Sequence, residues 1–493
     1  VSLLLPRISS LYFDEKMNEL LLYFLGSGII SVIMFFLRSN PSVNYLLFVP
    51  FLGLQYFLNY HESRHIYEVQ GEYFWTDGVG IIFLTVLSII STFTILHSFI
   101  FQWKKKEDGT LVATHNASLV MFIVMMTGVL ITQHIGLMWA FLEATTIFGS
   151  LLVYHNRNKE ALEATWKYIF VCSIGISLAF VGILFLSIAS NDLGQVELSV
   201  SALMQNASKL DPIWMKVCFI LILTGFSVKM GVMPFFTVDI DAKDVAPSPI
   251  GALFSGGLMN VGFVAIFRFY EIFAITSIHA WMDRVLLITG VASIFFATVY
   301  ILKVKHLKRL FAYSSVEHAG IALIALASGG MGYYAVILHL ILHALTKSSI
   351  FFQISQIESV FRDKNIENIG GYFKHNPFGS LVLILGFVCV TAMPPSGMFI
   401  SEFLTFKAMI ANGLLPLAIC LFVLLSFIFY AIGKDVTHVL FFLPMKSSAV
   451  YYEKVHPLES LSQIVMLLAV VYVGINPPDF LEEVIRYAIK NLH

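Results

Sequence analysis

About fourteen stretches of this chain are apolar for long enough to cross a bilayer, and nothing else in the sequence restricts the fold as tightly. They cover approximately residues 19–37, 43–58, 78–103, 113–131, 134–154, 166–190, 212–236, 248–276, 281–303, 311–328, 332–358, 377–412, 414–433 and 460–475. In hydrocarbon, backbone polar groups must be satisfied within their own segment, so each stretch is expected to be a helix. Only 12% of the residues are charged and 58% are hydrophobic, too little polar surface for a soluble globule of this length. The expected fold class is all-α: a polytopic membrane protein in contact with lipid, with no separate soluble domain. The segment from Asp479 to His493 is amphipathic and is expected at the membrane surface.

Orientation follows from the lysines and arginines. Of the 30, those in the loops between odd-numbered spans and the next number 18; the opposite side, with both termini, holds 8. The remaining Lys229, Arg268, Lys347 and Lys407 lie inside spans. The positive-inside rule then predicts both termini outside, in a bacterial inner membrane. The run from Lys303 to Arg309 reads as a cytoplasmic loop rather than a nucleic-acid patch, and the net charge of -1 also argues against nucleic acid.

A charge at the centre of a spanning helix costs about 2.5–3.5 kcal/mol on insertion scales, so it is retained where it pairs or lines a hydrated cavity. Glu143 lies near the middle of the fifth span, and Lys229 lies deep in the seventh, followed by Gly231 and Pro234. A helix carrying that glycine and proline is expected to break, freeing carbonyls beside a lysine that can exchange a proton. The plainer alternative is a structural Lys–Glu pair joining two helices. His339, His343 and Lys347 recur every four residues on the eleventh span, so they share one face and climb about 12 Å along it. That suits a proton relay, with Glu317 and His318 beginning another such pair on the tenth span. The twelfth span holds Pro394, Pro395 and Gly397, then Glu402 and Lys407: a second interrupted helix with charge buried after it.

Two interrupted helices five spans apart predict an internal repeat of five helices, inverted because five is odd. The expected division is residues 1–112 for the first three helices, 113–276 and 277–433 for the two repeats, and 434–493 for the last helix and surface segment. Cys172, Cys218, Cys389 and Cys420 stand in separate segments and form no CxxC pair. The polar segment with His61, Glu62, Arg64, His65, Tyr67 and Glu68 is read as an outside loop whose ligand spacing is poor, so no metal site is expected.

These residues resemble a family, the antiporter-like membrane subunits of respiratory complex I and of complex I-like membrane-bound hydrogenases. The likeness covers roughly residues 70–430. It is carried by Lys229 with the loop from Asp239 to Pro249, by Asn260 and Arg268, by Lys308 to Gly320 with Glu317-His318, and by Pro394 to Leu404 with Ser401-Glu402-Phe403. Asn260, Glu317-His318 and Ser401-Glu402-Phe403 are most similar to the F-type subunit of the hydrogenase 4 and formate hydrogenlyase class. The loop departs from the family at Phe236, Val238, Ile240, Lys243 and Val245, and Asn260 stands where many members have a second lysine. The resemblance implies that Glu143 and Lys229 form a coupled proton-moving pair. It makes His318, His343 and Lys347 a central hydrophilic axis, and puts Glu402 with Lys407 at an outward exit.

The expected function is that of an ion-translocating subunit, for protons or sodium ions, in a redox-driven assembly. Its partners would be other membrane subunits and a soluble redox arm. The chain has no recognisable ligand set for iron–sulfur, haem or flavin, so no cofactor is expected in it. The alternatives are a subunit of a non-redox transporter, either a multisubunit cation/proton antiporter or an inorganic carbon uptake system with a soluble zinc protein, and a purely structural anchor. An anchor gains nothing from so many buried charges.

Overall fold

Capping carboxylates mark where several of the apolar stretches begin. In the computed structural model, which describes residues 5–66, 73–189, 198–444 and 455–492 (side chains from residue 19), Asp77 accepts the N–H of Gly80 at 2.6 Å. Asp108 does the same for Thr110 at 3.0 Å, and Asp211 for Ile213 at 2.9 Å. Each takes up donors that the first helical turn cannot satisfy itself.

The first helices are α1 (Leu5–Phe36), α2 (Pro41–Arg64), α3 (Gly78–Lys105), α4 (Gly109–Ile131), α5 (Ile135–Val153) and α6 (Lys159–Ala189). Next come α7 (Pro212–Met230), α8 (Phe236–Val245), α9 (Ser248–Ala274), α10 (His279–Ile301), α11 (Leu307–Ala327) and α12 (Met331–Phe361). The chain ends with α13 (Pro377–Val390), α14 (Gly397–Ala411), α15 (Leu415–Phe441), α16 (Leu461–Ile475) and the amphipathic α17 (Asp479–Ala488).

Among the described residues, 13 helices are long and apolar enough to cross a membrane. The remaining expected span, residues 377–412, is two shorter helices, α13 and α14, separated at the proline pair. The protein is an all-α, polytopic membrane protein. Several helices outrun their apolar stretch: α6 starts at Lys159 rather than near 166, and α15 runs on to Phe441. Their backbone bonds do not stop where the lipid does, so Glu160 and Glu163 continue the helix as exposed residues.

The apolar cores of α9, α11 and α12 are wholly buried, whereas α1, α2 and α15 bury only 28% of theirs, with Leu25, Phe36 and Phe422 outward. The centre of the bundle is therefore where the ionisable residues lie, and the rim is apolar. Arg268 on α9, a charge inside a span, is structural. It donates to the carbonyls of Val129 (2.7 Å), Leu130 (2.8 Å) and Thr132 (2.6 Å), closing the end of α4, and to Asp77 at the start of α3.

The segment read as an outside loop is instead helical through Arg64. The Nε2 of His61 lies 2.7 Å from Glu19 of α1, and Glu62 is buried and accepts the hydroxyl of Thr76. Both partners lie elsewhere in the chain, which a spacing argument could not foresee. Tyr67 and Glu68 lie outside the described residues.

Candidate functional site

Lys229 is the penultimate residue of α7, and the helix is capped by Gly231, which has φ +77°. A side chain at Gly231 would be strained, and its Cβ would also press on Asp239, whose Oδ2 would lie only 3.0 Å away. The chain turns through Pro234 and resumes as α8 at Phe236. The expected break at Gly231 and Pro234 is therefore present, and it holds Lys229 at a helix end inside the bundle.

Lys229 is buried, and its Nζ donates to the hydroxyl of Thr146 at 2.8 Å. Thr146 in turn faces Glu143 Oε2 at 3.5 Å, and Ser173 donates to Glu143 Oε1 at 3.0 Å. Among the described residues there is no direct Lys229–Glu143 ion pair. The reading of a simple pair holding two helices is corrected to a hydroxyl bridge. Glu143 sits one helical turn before Thr146 and is only partly buried, at the rim of α5, whereas Lys229 lies inside. Proton exchange between them can pass through one hydroxyl that accepts from one neighbour and donates to the other.

From Lys229 the polar file continues inward. Its Nζ stands 5.5 Å from the Tyr168 ring centroid. On α8, Asp239 and Lys243 form a buried ion pair one turn apart. α8 also packs against α11 (Leu307–Ala327), the helix to which Lys347 is hydrogen-bonded. α9 packs against both α7 and α12 and needs two glycines to do so. A Cβ at Gly262 would lie 2.6 Å from the backbone nitrogen of Met230, and one at Gly256 would lie 2.9 Å from the carbonyl of Ala344. Between them sits buried Asn260. It donates to the Gly256 carbonyl at 2.9 Å, and its own Oδ1 has no protein partner. A π-helical turn at Phe254–Leu258 precedes it.

In the second half, His339, His343 and Lys347 share one face of α12 and are all buried. Lys347 donates to Ser314 and, at 2.9 Å, to the carbonyl of Phe311 on α11. His318 packs between the two histidines, with ring centroids 5.2 Å from His339 and 5.0 Å from His343. Its Nε2 lies 3.1 Å from the Val390 carbonyl, which the break after α13 leaves free, and its Nδ1 lies 3.9 Å from Glu402 on α14. Glu317 is buried, with Glu402 and Lys347 as its charged neighbours. Pro394, Pro395 and Gly397 form the second break, with Ser396 capping α14.

One expected member of the site is not in it. Lys407 is exposed on the outer side of α14, five residues beyond Glu402 and so on a different face. Its depth in an apolar run suggested burial, but depth along a helix does not fix which way a residue points. Conversely, sequence reading passed over Thr146, Ser173 and Ser314, and used Asp239 and Ser401 only as motif residues with no role of their own. Thr146 carried a usable signal, since it stands three residues after Glu143 and must share its face.

A rim of apolar helices around two interrupted crossings and a file of buried ionisable groups defines an antiporter-like membrane subunit. The chain belongs to the family described as NADH:quinone oxidoreductase/Mrp antiporter, TM, which it matches over residues 132–428. It is 33% identical over 407 residues to the hydrogenase-4 component F homolog of Methylacidiphilum infernorum (isolate V4), covering 81% of this chain and 84% of that protein. Its fold is shared with a chain of the membrane-bound sulfane sulfur reductase, an archaeal respiratory membrane complex, at TM-score 0.82 and 21% identity, over 98% of this chain and 97% of that one. A chain of the Mrp complex from Dietzia sp. DQ12-45-1b superposes equally well, at TM-score 0.82 and 14% identity, over 96% and 98%.

Proposed function

We propose that this chain is a proton-translocating membrane subunit of a complex I-like, redox-driven assembly, of the NADH-quinone oxidoreductase or membrane-bound hydrogenase type. The observation that carries the reading is the file of ionisable groups running from Glu143 through Thr146 and Lys229, past Asp239–Lys243 and Lys347, to His343, His318 and Glu402. A structural subunit has no use for such a file, because each buried charge costs free energy to insert.

Protons are taken up and released as neighbouring charges change. While Glu143 is ionised it favours the charged form of Lys229 through Thr146. When Glu143 is neutralised, the buried ammonium loses its countercharge and its proton moves on toward α8 and Lys347. In the second half, Glu317 bears on Lys347 in the same way, and Glu402 stands nearest the exit. Asn260 and the unpartnered polar atoms along the route would be bridged by water, which buried polar groups of this kind commonly hold.

Electron transfer belongs to partner subunits in a soluble redox arm, and other membrane subunits pack against the apolar rim. The excess of lysine and arginine in alternate loops supports a bacterial inner membrane with both termini outside. The likeness to the Mrp chain favours a second reading, a subunit of a cation/proton antiporter without redox chemistry. Extraction of the tagged protein in mild detergent, followed by mass spectrometry of what stays bound, separates the two. Iron–sulfur or hydrogenase subunits support the redox assembly. Antiporter subunits alone, or a single soluble zinc protein, would replace it with a transporter.

A further inference from the structure

The second break gathers a ligand set that sequence spacing does not announce. His318 on α11, His339 on α12 and Glu402 on α14 each offer one donor atom, and these atoms all lie within 4.8 Å of one another. Both histidines are fully buried, and Glu402 keeps 12% of its side chain exposed.

The hydrogen bonds around the two rings fix which nitrogen is free. The partner of His318 Nε2 is the Val390 carbonyl, which can only accept, so Nε2 carries the proton and Nδ1 carries the lone pair. The partner of His339 Nδ1 is the hydroxyl of Ser401 at 3.0 Å, and that hydroxyl gives its own proton to the carbonyl of Met398 at 2.9 Å. Ser401 therefore accepts from His339, and the lone pair of His339 sits on Nε2. These two lone-pair nitrogens, His318 Nδ1 and His339 Nε2, are also the ones with no protein hydrogen-bond partner. Each imidazole is thus held from behind by an oxygen and bare in front, as metal-ligating histidines are. All three anchoring groups come from the interrupted helix: Val390 ends α13, and Met398 and Ser401 begin α14.

We infer that His318, His339 and Glu402 form a binding site for a divalent transition-metal ion of the Zn2+ or Co2+ type. Two neutral imidazoles and one carboxylate match the preference of these ions, whereas Mg2+ and Ca2+ would demand more oxygen ligands. Donors around one zinc ion stand roughly 3.3 Å apart, given zinc–nitrogen distances of about 2.0–2.1 Å, so the three would close by up to about 1.5 Å. His343, with its ring centroid 5.0 Å from that of His318 and no protein partner on either nitrogen, lies beside this set but is not one of its three donors. The charged neighbours of the site are Glu317, beside Glu402, and Lys347, beside His318.

An ion here would occupy the lone pairs that the proposed proton route uses. Occupancy would therefore stop transport, a consequence that rests on the function proposed above.

The test is direct binding to the purified full chain in detergent, stripped of metal. Zn2+ is measured by equilibrium dialysis and Co2+ by visible absorption. The expected result is one ion per chain, bound at least tenfold more weakly by His318→Gln and by the near-isosteric Glu402→Gln. Binding should be unchanged in His61→Gln, a histidine outside the site. Thermal unfolding of each variant establishes that it is folded. No binding, or binding indifferent to these substitutions in folded protein, overturns the site. Proton flux through the wild-type chain in vesicles, with and without Zn2+, separates the two proposals. Binding that halts flux supports both, while binding that leaves flux intact upholds the metal site and removes these histidines from the proton route.

Discussion

Lys229 and Thr146 meet at 2.8 Å across the α5–α7 contact, and the threonine hydroxyl is the only protein group among the described residues that links Lys229 to Glu143 by hydrogen bonds. A coupling that depends on one hydroxyl can be tested by removing it. Thr146→Val keeps the shape and deletes the link. A hydrogen bond to a charged group is worth about 1.5–3 kcal/mol, so proton flux in vesicles is expected to fall by ~10-fold or more. Thr146→Ser should restore most of it. Equal flux in the valine variant would show that Glu143 and Lys229 communicate by another path.

Lys407 supplies the opposite expectation. Its side chain is exposed and on a different face from Glu402, so Lys407→Ala should leave flux within about twofold of wild type, as surface substitutions away from special features usually do. A large loss would return it to the route.

The Asp239–Lys243 pair carries a stability prediction. Breaking a buried ion pair by removing one partner costs about 3–5 kcal/mol, because the other charge is left uncompensated. Asp239→Asn should therefore lower the thermal unfolding midpoint in detergent clearly. The double variant Asp239→Asn with Lys243→Met should recover much of that loss while still impairing flux. If the double variant is as unstable as the single one, the pair is not what holds α8 in place.

Arg268 separates structure from transport. Arg268→Met strands the carbonyls of Val129, Leu130 and Thr132 and leaves Asp77 without this guanidinium. It is expected to destabilise the fold by several kcal/mol, on the order of 1–3 kcal/mol for each buried polar group left unsatisfied. Flux per correctly folded molecule should change little. Thermal unfolding paired with flux normalised to folded protein checks both halves.

The crossing helices and both breaks could be read from the sequence because lipid imposes strong rules: long apolar runs must be helices, and Gly231–Pro234 and Pro394–Pro395–Gly397 cannot continue one. The face shared by His339, His343 and Lys347 followed from helical spacing alone. What escaped was whatever depends on neighbours far apart in the chain. The proposed route from Lys229 to Lys347 relies on α8, with Asp239 and Lys243, and on α9, which approaches α7 and α12 through Gly262 and Gly256. The gathering of His318, His339 and Glu402 joins three helices whose relative rotation no spacing rule sets. Lys407 failed for the same reason, since an apolar run gives depth but not direction. His61 and Glu62 failed because their partners, Glu19 and Thr76, lie elsewhere in the chain.

The central claim is that protons pass along the buried file through Glu143 and Lys229. The most direct measurement is proton flux through the purified assembly in sealed vesicles for Lys229→Ala and Glu143→Gln, with thermal unfolding establishing that both remain folded. Each variant is expected to lose flux to near background while keeping its fold. Full coupled flux in both would contradict the claim.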